Sequence, residues 1–166
     1  MSLLNQVDEV AGPWSAFAKA LVTKGRLPAS WRELVILRVT SRRHCAYALE
    51  GHRLIARHCG LSDERIDVAL GSDGGELVGG VDGVLICATD ELLGAGRVSE
   101  PTKNALLEFL DEAAIIELAM LVGQYVLVGM VCETFELRPE NAECSDYEED
   151  HGRVPLDILS ASRSAD

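Results

Sequence analysis

Glu33, Cys45 and His52 lie in the run RELVILRVTSRRHCAYALEGHRLIARHCGLSDERI and carry groups suited to proton transfer and thiol chemistry. A carboxylate and an imidazole can work together as general base and relay, directly or through water. A thiol that follows Arg42, Arg43 and His44 at the start of a helix is drawn toward its thiolate by the nearby positive charge. From about residue 46 to 59, Tyr47, Leu49, Leu54 and Ile55 recur at roughly helical spacing, and Gly60 followed by Leu61 reads as a helix stop. If Cys45 opens this helix, His52 comes close to two turns later. The two side chains then share a face but stand ~10 Å apart along the axis, at ~1.5 Å rise per residue. That is too far for a direct hydrogen bond. Ala48 falls between them, next to both, and leaves a gap of one side chain that a small substrate or water could fill.

Each of these residues also has a plainer role open to it. Ser30-Trp-Arg-Glu33 has the form of a capping box, so Glu33 can serve a helix N-terminus as well as a proton. Cys45 can be a packed thiol, His52 a surface residue beside Arg53, and Tyr47 either a core aromatic or a hydroxyl lining a pocket. His44, Cys45, His52, His58 and Cys59 cluster locally, but without metal-ligand spacing, so no metal and no cofactor are expected.

The elements that must position these residues read as helices throughout. Helical periodicity covers roughly 14–24, 28–41, 45–59, 62–70, 80–94, 100–110 and 112–135, and strand signals are scarce. The expected fold class is therefore all-α, a bundle of about six to seven helices. Ser62 and Ser99 read as N-caps, with Pro101 in the first turn after Ser99. The glycine-rich stretch 71–80 reads as a loop or hinge and lacks the ending of a phosphate-binding loop. The run AAIIELAMLVGQYVLVGMVC, 113–132, has the length of a membrane span, but its flanks are acidic. It is read as a helix buried all round, in a core or between subunits.

A chain of 166 residues that is 48% hydrophobic can bury one sizeable core. One domain is expected over 1–139, followed by an acidic, flexible tail over 140–166. The net charge of −12 argues against nucleic acid or an anionic membrane surface as partner. No signal peptide is visible at the N-terminus. The five cysteines are odd in number and irregular in spacing, as free thiols in a reducing cytoplasm would be.

The central motif resembles the carboxymuconolactone decarboxylase family, which includes alkylhydroperoxidase D. In the redox-active branch, Glu is followed after eleven residues by Cys, two residues, a second Cys, three residues and His. Glu33, Cys45 and His52 stand at the first, second and fourth of those positions, and Ala48 replaces the second thiol, so the motif's own disulfide cannot form. The run HRLIARHCGLS and the segment DELLGAGRVSEPTKNALLEFLDEAAIIELAMLVGQYVLVGM are similar to further parts of the family pattern. Where the decarboxylase-like branch has Tyr-Glu-Trp, this chain has Tyr47-Ala48-Leu49.

The resemblance implies an all-α subunit of a homo-oligomer, trimer or hexamer, acting on a small-molecule substrate. The leading expectation is acid–base chemistry, a lyase, decarboxylase or isomerase step on a small organic acid or lactone. Glu33, Cys45 and His52 would be catalytic. Arg38 or Arg42 would hold a carboxylate, with Tyr47 and Ala48 lining the pocket. One alternative is an alkylhydroperoxidase-like thiol peroxidase using Cys45 alone, since Cys59 on the same helix would lie ~21 Å away. The other is a non-catalytic binding or assembly member of the family.

Overall fold

The computed structural model describes residues 7–71 and 79–139. These residues form seven α-helices and no strand: α1 (Asp8–Thr23), α2 (Ala29–Arg42), α3 (Ala46–His58), α4 (Asp63–Leu70), α5 (Gly80–Ala95), α6 (Glu100–Leu107) and α7 (Glu112–Thr134). This is the all-α architecture expected from the periodicity. The chain divides into two units, one spanning Arg26–Glu140 and carrying α2–α7. Helix α1 belongs to the other unit. It begins six residues before its expected start because Pro13 lies inside it rather than ahead of it. That proline forfeits one backbone bond near the helix start and does not end the helix. Most of the glycine-rich stretch, 72–78, and the acidic tail lie outside the described residues.

Helix α2 is the axis of the larger unit. Its nine consecutive residues Arg32–Thr40 are all buried, and it packs against α3, α4, α5 and α7. A helix covered on every side cannot send its charges to water, so Arg32, Glu33 and Arg38 need partners inside the protein. Ser62 and Ser99 cap α4 and α6 as expected, accepting from the backbone N–H of Arg65 and Thr102. Glu91 on α5 accepts from the Ser99 N–H at 2.6 Å, the Ser99 hydroxyl at 2.7 Å and the Thr102 hydroxyl at 2.8 Å, which ties α5 to the start of α6.

Helix α7 is read from its sequence as buried in a core or between subunits, and this chain alone covers one of its faces. It is long and apolar enough to cross a membrane, with a mean hydropathy of 2.0, yet only one face is buried. Leu118, Leu121, Val122, Gln124 and Cys132 point inward, while Ile116, Met120, Leu127 and Met130 are exposed. An apolar run without polar interruptions gives no sign of which face a neighbour in the same chain will cover.

Two helix ends fix the positions of chemically active side chains. At the end of α2, Cys45 N–H bonds Thr40 C=O at 2.9 Å and His44 N–H bonds Ser41 C=O at 3.1 Å. His44 takes the left-handed conformation, φ 56°. This is a Schellman motif, and it turns the chain directly into α3 with Cys45 as N-cap. The end of α7 repeats it, with Leu137 N–H on Cys132 C=O at 2.8 Å and Glu136 left-handed at φ 53°.

Candidate functional site

Glu33 does not cap its helix. Helix α2 starts two residues earlier than the capping box requires, after Pro28, and has no side-chain cap. With that role gone, the buried carboxylate turns to α3. Its Oε2 lies 2.7 Å from His52 Nδ1, and its Oε1 accepts from Arg32 Nε at 3.3 Å. His52 Nε2 lies 2.9 Å from the Tyr125 hydroxyl on α7, and the two rings meet edge to face with centroids 4.9 Å apart. With Glu33 ionised, Nδ1 must be the donor to it. Nε2 then accepts from the Tyr125 O–H. Three helices thus contribute a continuous hydrogen-bonded chain: Glu33, 1% exposed; His52, 9% exposed; and partly buried Tyr125. It runs from the interior outward, and transfer of the Tyr125 proton to His52 Nε2 leaves every member bonded.

Cys45 sits at the other end of the same helix pair, fully buried with Ala48 and Cys132; Tyr47, Val128 and Leu137 pack around them. Seven residues separate Cys45 from His52, and seven separate Tyr125 from Cys132. Helices α3 and α7 therefore meet in antiparallel register, His52 on Tyr125 at one end and Cys45 on Cys132 at the other. Gly129, between these contacts, allows the close approach. A Cβ there would stand 3.3 Å from Arg43 Cβ and 3.8 Å from Cys45 Cβ. The gap expected beside Ala48 is thus filled from α7 by Cys132 rather than by solvent. The S–H of Cys132 hydrogen-bonds Cys45 and, against the opposing effect of burial and with help from the Ala48 N–H, pulls the Cys45 thiol down to about 6 from its ordinary value near 9. The same contact, together with burial, pushes Cys132 well up. Cys59, the nearest cysteine in sequence, caps the far end of α3; burial and the Glu33 charge raise its thiol.

The two arginines expected to hold a carboxylate lie elsewhere. Arg38 has no exposed surface. It donates from Nε and Nη2 to the two oxygens of Asp90, at 2.8 and 2.5 Å, and from Nη1 to the carbonyls of Ala69 and Gly71. Arg42 donates to the same carboxylate at 3.2 and 3.3 Å. Burial alone would raise the Asp90 carboxyl, but the hydrogen bonds and charges of Arg38 and Arg42 outweigh it and hold it low. Arg38 is therefore a structural clamp between α2, α5 and the end of α4, not a substrate ligand. Arg42, with Arg43, Asp90, Leu93 and Gly94, lines an open depression of about 360 Å³. Tyr47 borders the thiols, while the tyrosine bonded to His52 is Tyr125.

Sequence reasoning missed Tyr125 and Cys132, both inside the uniformly apolar run of α7. Their seven-residue separation, matching that of Cys45 and His52, was the available signal. Among the described residues, no group of three or more His, Cys, Asp or Glu side chains is placed to hold a metal ion.

Among curated proteins, none matches the chain. Residues 8–74, the span that carries Glu33, Cys45 and His52, match the model of the carboxymuconolactone decarboxylase family.

Proposed function

We propose that the protein is an acid–base enzyme that moves a proton on a small organic acid or lactone, in a lyase, decarboxylase or isomerase step. The observation that carries this reading is the Glu33–His52–Tyr125 chain, with links of 2.7 and 2.9 Å. Tyr125, the outermost member, is the group that meets substrate. His52 exchanges a proton with it at Nε2, and Glu33 offsets the imidazolium charge through the Nδ1–H bond. Arg32 Nε donates to the other Glu33 oxygen at 3.3 Å and helps hold the side chain in place. The match of residues 8–74 to the carboxymuconolactone decarboxylase family supports the substrate class. The carboxylate of such a substrate would find its cation in a residue other than Arg38.

The test is hydrogen–deuterium exchange and product formation, followed by NMR, on a panel of lactones and β-keto acids with the purified full chain. One or more should turn over, and Glu33→Gln and His52→Gln should slow that turnover by roughly 10²–10⁴-fold, the usual contribution of positioned acid–base groups. Unchanged rates in both variants would refute the assigned roles. A peroxidase cycle that uses Cys45 in isolation has less support, because the thiol is not isolated: Cys132 packs on it. The exposed apolar residues Ile116, Met120, Leu127 and Met130 support self-association through α7, as a trimer or hexamer, which sedimentation would read directly.

A further inference from the structure

We propose that Cys45 and Cys132 form a dithiol–disulfide couple oxidised by small hydroperoxides, with Cys45 the attacking sulfur and Cys132 the sulfur that closes the bond. The acid–base chain does not use either thiol, and the inference stands independently of the activity proposed above.

Placement carries the argument. The two cysteines come from helices distant in sequence, yet both are buried in one cluster with Ala48, whose small side chain sets no bulk between them. Both positions are fixed by backbone. The Schellman turn after α2 delivers Cys45, and Leu137 at the end of α7 bonds the Cys132 carbonyl and packs onto the same cluster. Gly129, three residues before Cys132 on α7, removes the side chain that would hold the α2–α3 turn away from α7.

The surroundings also make the two sulfurs unequal. Cys45 is the N-cap of α3, where the helix dipole favours negative charge. Cys132 lies in the last turn of α7, where the dipole opposes it, and Glu133 is the next residue. Arg43 and His44, the two residues before the buried Cys45, are exposed.

The chemistry balances with one oxidant. The Cys45 thiolate attacks the terminal oxygen of ROOH and the O–O bond breaks. The alkoxide takes up the proton that Cys45 gave up and leaves as ROH, and Cys45 becomes a sulfenic acid. Cys132 sulfur then attacks the sulfenic sulfur. The S–S bond forms, the S–O bond breaks, and hydroxide leaves as water with the Cys132 proton. Two thiols lose two electrons and one hydroperoxide becomes an alcohol and water. An external dithiol restores both thiols by exchange.

The test uses the full chain, reduced, desalted and treated with stoichiometric tert-butyl hydroperoxide, followed by alkylation of free thiols and non-reducing peptide mapping. A peptide pair linked through Cys45 and Cys132, reversed by dithiothreitol, is expected. Cys45→Ala should slow the loss of free thiols by about tenfold or more, because only the thiolate attacks. Cys132→Ser should leave Cys45 as a sulfenic acid that dimedone captures. A different linkage, through Cys59, Cys87 or Cys144, would overturn the proposal, as would oxidation of Cys45 to sulfinic acid in the wild type without any link to Cys132. The mapping of the wild-type protein decides this even if a variant fails to fold, and it does not depend on any turnover by the acid–base chain.

Discussion

Helix α2 sends buried charge to two sides, and the two clusters solve the same problem in opposite ways. Toward α5, Arg38 meets Asp90 with two parallel bonds and spends further donors on two carbonyls, while Arg42 reinforces the same carboxylate. A guanidinium keeps its proton at any physiological pH, so this cluster has one protonation state and one arrangement. Toward α3, Glu33 meets an imidazole, which can take a second proton at Nε2 from the phenol it faces while Nδ1–H stays on Glu33. Burial and hydrogen bonding are comparable in the two places. What separates a clamp from a relay is whether the central group can change its proton without losing a partner.

The comparison predicts its largest effect at Asp90. Asp90→Ala leaves Arg38, which has no exposed surface, as an uncompensated buried charge, and should cost about 3–5 kcal/mol of stability, read by denaturant unfolding. The pH dependence follows the same interaction. The folded-state Asp90 carboxyl titrates below its ordinary value near 3.8, so its stabilisation is complete above that value and is lost as pH falls through the lowered one. The wild-type protein should therefore lose stability below about pH 4 more steeply than Asp90→Ala does. An Asp90 variant as stable as wild type would remove the clamp from the comparison.

A smaller structural effect with a larger chemical one is expected at Tyr125. Tyr125→Phe keeps the ring that packs edge-on against His52 and removes only the hydroxyl. The loss of stability should be about 1 kcal/mol, the ordinary contribution of a single hydrogen bond. Turnover should nevertheless fall by roughly 10²-fold if the phenol is the outward end of the relay. A variant that lost stability like Asp90→Ala but kept its turnover per folded molecule would make the Glu33 cluster a second clamp.

How far the sequence revealed these clusters depended on the range of each signal. Helix positions and the Ser62 and Ser99 caps were legible because capping and periodicity act within a few residues. Glu33 and His52 were legible as a pair through their spacing. Arg38 was not, because an arginine in an apolar run reads the same whether its carboxylate is a substrate's or Asp90, and Asp90 lies on another helix. Tyr125 and Cys132 were hidden for a different reason. In a helix apolar at nearly every position, the pattern does not mark the face that will meet α3, and only the antiparallel register of the folded pair selects them.

The smallest expected effect separates positions set by backbone from positions set by charge. His44 occupies the left-handed turn residue before Cys45 with φ 56°, a conformation that costs a side chain with a Cβ about 1–2 kcal/mol. Glycine adopts it freely, although it loses about 0.5–1 kcal/mol through the greater freedom of the unfolded chain. The net for His44→Gly is a gain of about 0.5–1 kcal/mol, measurable as a rise in Tm. Because the turn's two hydrogen bonds come from backbone N–H groups at 44 and 45, Cys45 should stay in place. Its oxidation together with Cys132 should then proceed at the wild-type rate. A loss of stability instead would mean that the exposed imidazole contributes more than its strained backbone costs. The thiol end of the α3–α7 pair would then depend on a titratable side chain, as the relay end does, rather than on chain geometry.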